Sequence, residues 1–320
     1  MERIDTHTDF ALDVLEGLSS KHKFLSSKYF YDDKGSRIFQ SIMKMPEYYL
    51  TDCELEIFRT KKREIFEVFN DNDSKFDLIE LGAGDGLKTK ILLSYLLDQN
   101  SKFEYIPIDI NEETIKNLVV DLQKELPAMK INGKVGDYFK MMEEINQYDH
   151  AKKILLFLGS NIGNFDQHES IDFLKNLRSV MHPKDMLFIG FDLKKDPDII
   201  LKAYNDPHGY TSAFNLNLLQ RINNELNANF NLNNFKHHEV YDSHSGTARS
   251  YLISIRNQEV EINDLKLSIS IKKGELIFME RSQKYDLDLI TALATKSGFE
   301  IVRNFYDKRQ YFVNSIWKLK

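Results

Sequence analysis

The chain has 320 residues, 42% hydrophobic, 29% charged and 12% aromatic, which is the composition of a globular protein with room for two domains. Lys and Arg number 43 against 49 Asp and Glu, a net charge of −6, so no overall basic field recruits nucleic acid or an anionic membrane, and a small or neutral partner is expected with no protein partner evident. The single cysteine, Cys53, excludes an intramolecular disulfide; with no recognisable leader pattern and no apolar run near the ~20 residues of a bilayer span, a cytoplasmic location is expected.

Before residue 52 the sequence reads as helices with an aromatic cluster, and Cys53 reads as a helix residue rather than a nucleophile. An apolar strand at 77–81 is followed by a helix at 89–97, a strand at 105–110 by a helix at 112–126, and strands at 154–158 and 186–192 flank a helix at 167–181. Strands alternating with helices predict a parallel, doubly wound sheet. After Asp192 the pattern changes: 196–204 and 213–226 are helical, whereas 248–255, 265–271 and 275–279 alternate like antiparallel strands. His237, His238, Glu239 and His244 fall in an expected loop without metal-ligand spacing, so no metal is expected. A helix at 287–297 and strands at 300–306 and 311–318 complete the chain. The resulting expectation is an α/β core of residues 52–195 and 283–320, interrupted by an α+β domain of 196–282 that the segment 1–51 joins.

The most informative stretch is Glu80-x-Gly82-x-Gly84-x-Gly86, where the first strand empties into three alternating glycines. Glycine allows positive φ and close backbone approach, as a cofactor loop needs. The dinucleotide fingerprint requires two residues between its second and third glycines, and this loop has one. G-x-G-x-G after an acidic strand end fits S-adenosylmethionine methyltransferases, with a nicotinamide enzyme or a purely structural turn as alternatives. Asp109 ends the next strand near the roughly 20-residue spacing of a ribose-binding acid. Gly136-Asp137-Tyr138 offers a carboxylate for an adenine amino group and an aromatic to stack on it, or merely a turn. Gly159-Ser-Asn-Ile-Gly-Asn164 brings Gly159 and Asn164 to the carboxyl edge of the sheet, where ligands bind, or else ends in an Asn helix cap.

Together, Lys28-Tyr-Phe-Tyr-Asp-Asp-Lys-Gly-Ser36, Met45-Pro-Glu-Tyr-Tyr49, Glu80-Leu-Gly-Ala-Gly84, Pro107-Ile-Asp109, Gly159-Ser-Asn-Ile-Gly-Asn164 and Ala213-Phe-Asn215 resemble the ergothioneine-pathway L-histidine Nα-methyltransferases. The likeness runs from about Phe24 to the C-terminus. It implies a Rossmann-like methyltransferase sheet with a second, substrate-binding domain, and S-adenosyl-L-methionine as the donor for methylating the α-amino group of histidine up to the trimethylated betaine. By motif, Tyr31, Gly82, Lys88, Asp109, Asp137 and Tyr138 would contact the cofactor, with Lys88 on its carboxylate and Tyr31 able to assist catalysis through its hydroxyl. Tyr48, Gly159, Asn164, Tyr204, Leu252, Glu280 and Ser282 would contact the substrate: Asn164 and Tyr204 its carboxylate, Glu280 and Ser282 its imidazole. Two departures stand out. Ser160 and Asn161 replace the family's usual Gly-Thr, and Arg249-Ser250-Tyr251-Leu252 replaces Arg-Ile-Glu-Met, putting Leu252 where a methionine walls the side-chain pocket. The alternative is an N-methyltransferase for another amino acid or small amine.

Overall fold

A computed structural model of the protein describes residues 6–70, 75–148 and 151–320. The chain begins with helices α1 (Thr6–Ser19), α2 (Asp33–Ile42) and α3 (Tyr49–Phe69). Strand β1 (Phe76–Leu81), α4 (Thr89–Asp98), β2 (Phe103–Asp109), α5 (Glu112–Glu125) and the two-residue strands β3 (Lys130–Ile131) and β4 (Lys134–Val135) follow. Next come α6 (Tyr138–Tyr148), β5 (Lys152–Phe157), α7 (Gln167–Ser179), β6 (Met186–Asp192), α8 (Pro197–Tyr204) and α9 (Tyr210–Glu225). Strands β7 (Phe235–Asp242), β8 (Thr247–Ser254), β9 (Gln258–Ile262), β10 (Leu267–Ile271) and β11 (Leu276–Gln283) precede α10 (Leu287–Ser297), β12 (Phe299–Tyr306) and β13 (Phe312–Leu319). These fall into two compact units, residues 50–194 with 283–320 and residues 1–49 with 195–282. The expected domain ranges also include 1–5, 71–74 and 149–150, which lie outside the described residues.

The first unit is α/β. Its sheet runs β12-β13-β6-β5-β1-β2-β3, with β4 also paired to β2. The β1, β2, β5 and β6 ladders are parallel, and β13 is antiparallel to both β6 and β12. Every residue of β1 is buried, and Ile154-Leu-Leu-Phe157 of β5 is an unbroken buried run, as a parallel strand covered on both faces requires. From β1 the chain steps outward to β2, β3 and β4, then returns to β5 on the other side of β1. The crevice beyond the carboxyl ends of β1 and β5 is therefore the switch point where α/β sheets take ligands. The apolar cluster beneath holds Ile79, Ile106, Phe157, Phe191 and the fully buried Trp317, which stacks on Phe191 at 5.6 Å between centroids.

The second unit is α+β. A three-stranded sheet β11-β8-β7 and a two-stranded pair β9-β10 surround a cluster in which Phe10 and Val14 of α1 meet Phe30, Phe214, Leu252 and Met279. Its α2 packs against α9. Asp32, from the Tyr-Asp-Asp-Lys-Gly motif, caps α2 by accepting from Gly35 N at 2.6 Å and also accepts from Asn217 Nδ2 at 2.8 Å, so that motif has a structural task. One expectation fails here. His237, His238 and Glu239 lie in strand β7, with His237 opposite Leu252, rather than in a loop. The segment carries little apolar alternation of its own, and its strand conformation comes from the ladder with β8.

Candidate active site

In the first unit, the chain leaves β1 through Gly82, Gly84 and Gly86 at φ of 74°, 55° and 65°, the left-handed region that glycine enters without steric cost. Gly82 N extends the sheet by donating to Ile108 O at 2.8 Å. Gly84 N donates to Asp109 Oδ2 at 3.2 Å, while Asn111 N donates to Asp109 Oδ1 at 3.0 Å, so the carboxylate ending β2 is clamped by backbone on both oxygens. Burial pushes the Asp109 carboxyl up from its ordinary value and these amides oppose the shift. A side chain added at Gly84 would meet nothing within 4 Å, which is the open cradle a ligand needs beside the loop.

Asp137 and Tyr138 come to the same edge. Asp137 Oδ1 accepts from Phe139 N at 3.0 Å and Lys140 N at 3.2 Å, so it caps α6. The partly buried Tyr138 ring packs edge-on to Phe157, and its hydroxyl would lie 2.9 Å from a Cβ at Gly82. Its phenol is held well above the ordinary value, first by burial and then by the negative charges of Asp109 and Asp137. Gly82, Asp109, Asp137 and Tyr138 thus converge on the switch point.

Lys88 is there too, with a partner that sequence reasoning missed. Its Nζ lies 2.5 Å from Oε2 of Glu54, a residue of α3 that is 1% exposed. The same carboxylate accepts from Gly159 N at 3.0 Å and from Asn314 Nδ2 at 2.8 Å. Lys88 keeps two of its three donors for other acceptors. A clue was present in the sequence: Glu54 precedes Ile57 and Phe58 by three and four positions, placing a charge within the apolar stripe of its helix.

Beyond β5, Gly159 and Ser160 both take left-handed backbone, φ 72° and 58°. Ser160 is the substituted position, and its hydroxyl accepts from Asp192 N at 2.9 Å, a bond that helps hold a non-glycine residue in this conformation. Asn164 closes the short turn Asn161–Asn164. It is not the helix cap considered above: Asp166 caps α7 in a reciprocal pair with Glu169.

The remaining site candidates belong to the second unit. Tyr31 packs on Phe39 and Phe214, each at 5.4 Å between centroids. Tyr48 meets Tyr204 edge-on at 6.1 Å, and the Tyr204 hydroxyl lies 2.9 Å from Ser282 Oγ. On β11, Ile277, Met279 and Ser282 are buried while Glu280 is half-buried, so the alternation shifts phase before Ser282. Leu252 is fully buried in the unit's apolar cluster. Among the described residues no group of His, Cys, Asp and Glu is arranged to hold a metal ion, and no helix is long and apolar enough to cross a membrane.

The chain is 33% identical over 302 residues to histidine N-alpha-methyltransferase of Mycobacterium tuberculosis, an alignment covering 94% of this chain and 92% of that protein. It is 33% identical over 287 residues to histidine N-alpha-methyltransferase of Mycolicibacterium smegmatis, covering 89% and 87%. It is 28% identical over 293 residues to ergothioneine biosynthesis protein 1 of Schizosaccharomyces pombe, covering 90% of this chain and 38% of that protein. Residues 10–319 match the histidine-specific, S-adenosylmethionine-dependent methyltransferases, and the chain belongs to that family.

Proposed function

We propose that this protein transfers methyl groups from S-adenosyl-L-methionine to the α-amino nitrogen of L-histidine, up to the trimethylated betaine. The observation that carries the reading is the cradle at the end of β1 and β2, on a chain matched to this family almost end to end. The residues present fit the cofactor. Asp109 offers acceptor capacity for two ribose hydroxyls, Gly84 leaves room for close approach with Gly82 at the start of the same loop, and Tyr138 with Asp137 suits an adenine ring and its amino group. Lys88 is the cation for the amino-acid end of the cofactor, with Gly159 beside it. When bound, the cofactor supplies an electrophilic methyl group on a sulfonium centre.

The chain's own task is positioning, which can supply much of the rate of such a displacement. Asn164 and Tyr204 are assigned to the α-carboxylate, Glu280 to a ring N–H and Ser282 to the other side of the imidazole, with Tyr48 and Leu252 as apolar walls. The 2.9 Å contact between the Tyr204 and Ser282 hydroxyls supports treating those two as one device. The Tyr31 hydroxyl assists near the amine. The unit of residues 1–49 and 195–282 is assigned to substrate binding, and the protein to the cytoplasm as an enzyme of small molecules.

Mass spectrometry of histidine incubated with the protein and S-adenosylmethionine tests this. Products heavier by one, two and three methyl groups are expected, with Asn164→Ala and Glu280→Ala raising the KM for histidine far more than the Kd for the cofactor. Methylation of a different amine with histidine left untouched would overturn it.

A further inference from the structure

Asn215, on α9 within the Ala-Phe-Asn stretch, is 1% exposed, and its side chain faces a ring. Its Nδ2 donates to His237 Nδ1 at 2.8 Å and to Ser250 Oγ at 2.5 Å. The other ring nitrogen, His237 Nε2, lies 2.9 Å from the backbone carbonyl oxygen of Tyr204. A carbonyl oxygen only accepts, so Nε2 carries a hydrogen. In the neutral ring Nδ1 is then a bare lone pair that requires a donor, and the Asn215 amide supplies one N–H while its second goes to Ser250. With the ring neutral, both directions follow from that backbone acceptor: Asn215 N–H to Nδ1, with Ser250 Oγ farther off at 3.5 Å, and Nε2–H to Tyr204 O.

Adding a proton at Nδ1 would set N–H against N–H in this amide orientation, and turning the amide would give up the Nδ2–H bond to Ser250 Oγ. Burial, the main influence on this ring, keeps His237 below its ordinary value, opposed by the Tyr204 carbonyl and Asp206 and reinforced by His238. Glu239 Oε2 lies 3.9 Å from Nε2, beyond hydrogen-bond reach.

Tyr204 is the last residue of α8, and helix-terminal carbonyls have no partner inside the helix. The helix is fixed at its start by Asp196, which accepts from Asp198 N, with Pro197 at the first turn. His237 fixes its end. What the end carries is the Tyr204 side chain, whose hydroxyl reaches Ser282.

We infer that His237, held in its Nε2–H form by Asn215, is a positioning residue that sets Tyr204, and through it the Ser282 hydroxyl, for the amino-acid substrate. The inference rests on the reading of Tyr204 and Ser282 as substrate contacts. Ring orientation by a second group is the same logic that fixes histidine tautomers elsewhere.

Two measurements test it. Two-bond proton–nitrogen NMR on protein labelled with 15N-histidine, with the His237 signal identified by its loss in a variant, should show a protonated Nε2 and a bare Nδ1. In kinetics, His237→Gln can still donate to the Tyr204 carbonyl from its terminal amide, whereas His237→Asn reaches only the Asn215 side. His237→Asn should raise the KM for histidine roughly tenfold with the Kd for S-adenosylhomocysteine unchanged, and His237→Gln should recover most of that loss. A protonated Nδ1, equal effects of Gln and Asn, or a parallel loss of S-adenosylhomocysteine binding would overturn the inference. Turnover of histidine by the wild-type protein, measured first, tests the functional reading separately from the tautomer.

Discussion

The Lys88 ammonium and the Glu54 carboxylate form an ion pair at 2.5 Å in which the anion is buried and the cation is partly exposed. The pair ties α3 to the loop entering α4, and through Gly159 N and Asn314 Nδ2 it also ties the turn after β5 to β13. Removing one partner of a buried pair leaves an uncompensated charge, at a cost of about 3–5 kcal/mol. Lys88→Met should therefore destabilise the protein strongly, and Glu54→Gln added to it should restore part of the loss. Urea unfolding of the two single variants and the double variant should give a coupling energy of about 1–3 kcal/mol. Strict additivity would show that the two groups do not act as a pair.

Two glycines near this site should fail in opposite ways. A Cβ at Gly163 would sit 2.9 Å from the backbone oxygen of Gln283 and 3.2 Å from its nitrogen, and backbone yields little. Gly163→Ala should cost about 1–3 kcal/mol of stability by overpacking. At Gly84 an added Cβ meets nothing, so Gly84→Ala carries only the left-handed strain of about 1–2 kcal/mol. Its effect should instead appear as a weakened Kd for S-adenosylhomocysteine by calorimetry, because the methyl group enters the open cradle. Unchanged affinity in Gly84→Ala would remove that loop from the cofactor site.

Much of the core is legible because its signals are local. Three alternating glycines after an apolar strand allow positive φ, and all three have it. Glu54 was hidden because its partners lie 34, 105 and 260 positions away and meet it only when the sheet closes. His237 was hidden for a related reason. Its segment, Phe235-Lys-His-His-Glu-Val-Tyr-Asp242, is half exposed along most of its length and becomes a strand by pairing with β8. The roles given to Asn164, Tyr204, Glu280 and Ser282 come from ordered motifs rather than periodicity, and the phase shift in β11 shows why alternation alone could not assign them.

Cys53 should be inert in the folded protein. It is fully buried, and burial together with the nearby Asp307 charge pushes its thiol up to about 12, although Arg309 Nη2 donates to the sulfur at 3.2 Å. Thiolate is the reactive form, so a colorimetric disulfide reagent at pH 8 should find no fast thiol in the native state and one after denaturation. Rapid native labelling would contradict the packing of α3.

Glu80, the acid that precedes the glycine loop, makes stability depend on pH. It is buried, accepts from Thr89 Oγ1 at 2.7 Å and from the Tyr105 hydroxyl, and has its carboxyl raised to about 7. Burial is the main cause. The two hydroxyls and Lys88 oppose it, and Glu54 adds to it. In the unfolded chain the same group titrates near 4.5. Between these values the folded state binds more protons than the unfolded one, so stability must fall as pH rises. The contribution is complete below the unfolded value and is lost as pH rises through about 7, a change on the order of 3 kcal/mol. Glu80→Gln is nearly isosteric, can keep both hydroxyl contacts if one hydroxyl turns to accept, and does not titrate. The stability of Glu80→Gln minus that of wild type, from urea unfolding at a series of pH values, should therefore increase from pH 5 to pH 8 and then level. Taking the difference cancels the other carboxylates, whose effects are common to both proteins. A flat difference across that range would mean that Glu80 keeps an ordinary carboxyl value in spite of its burial.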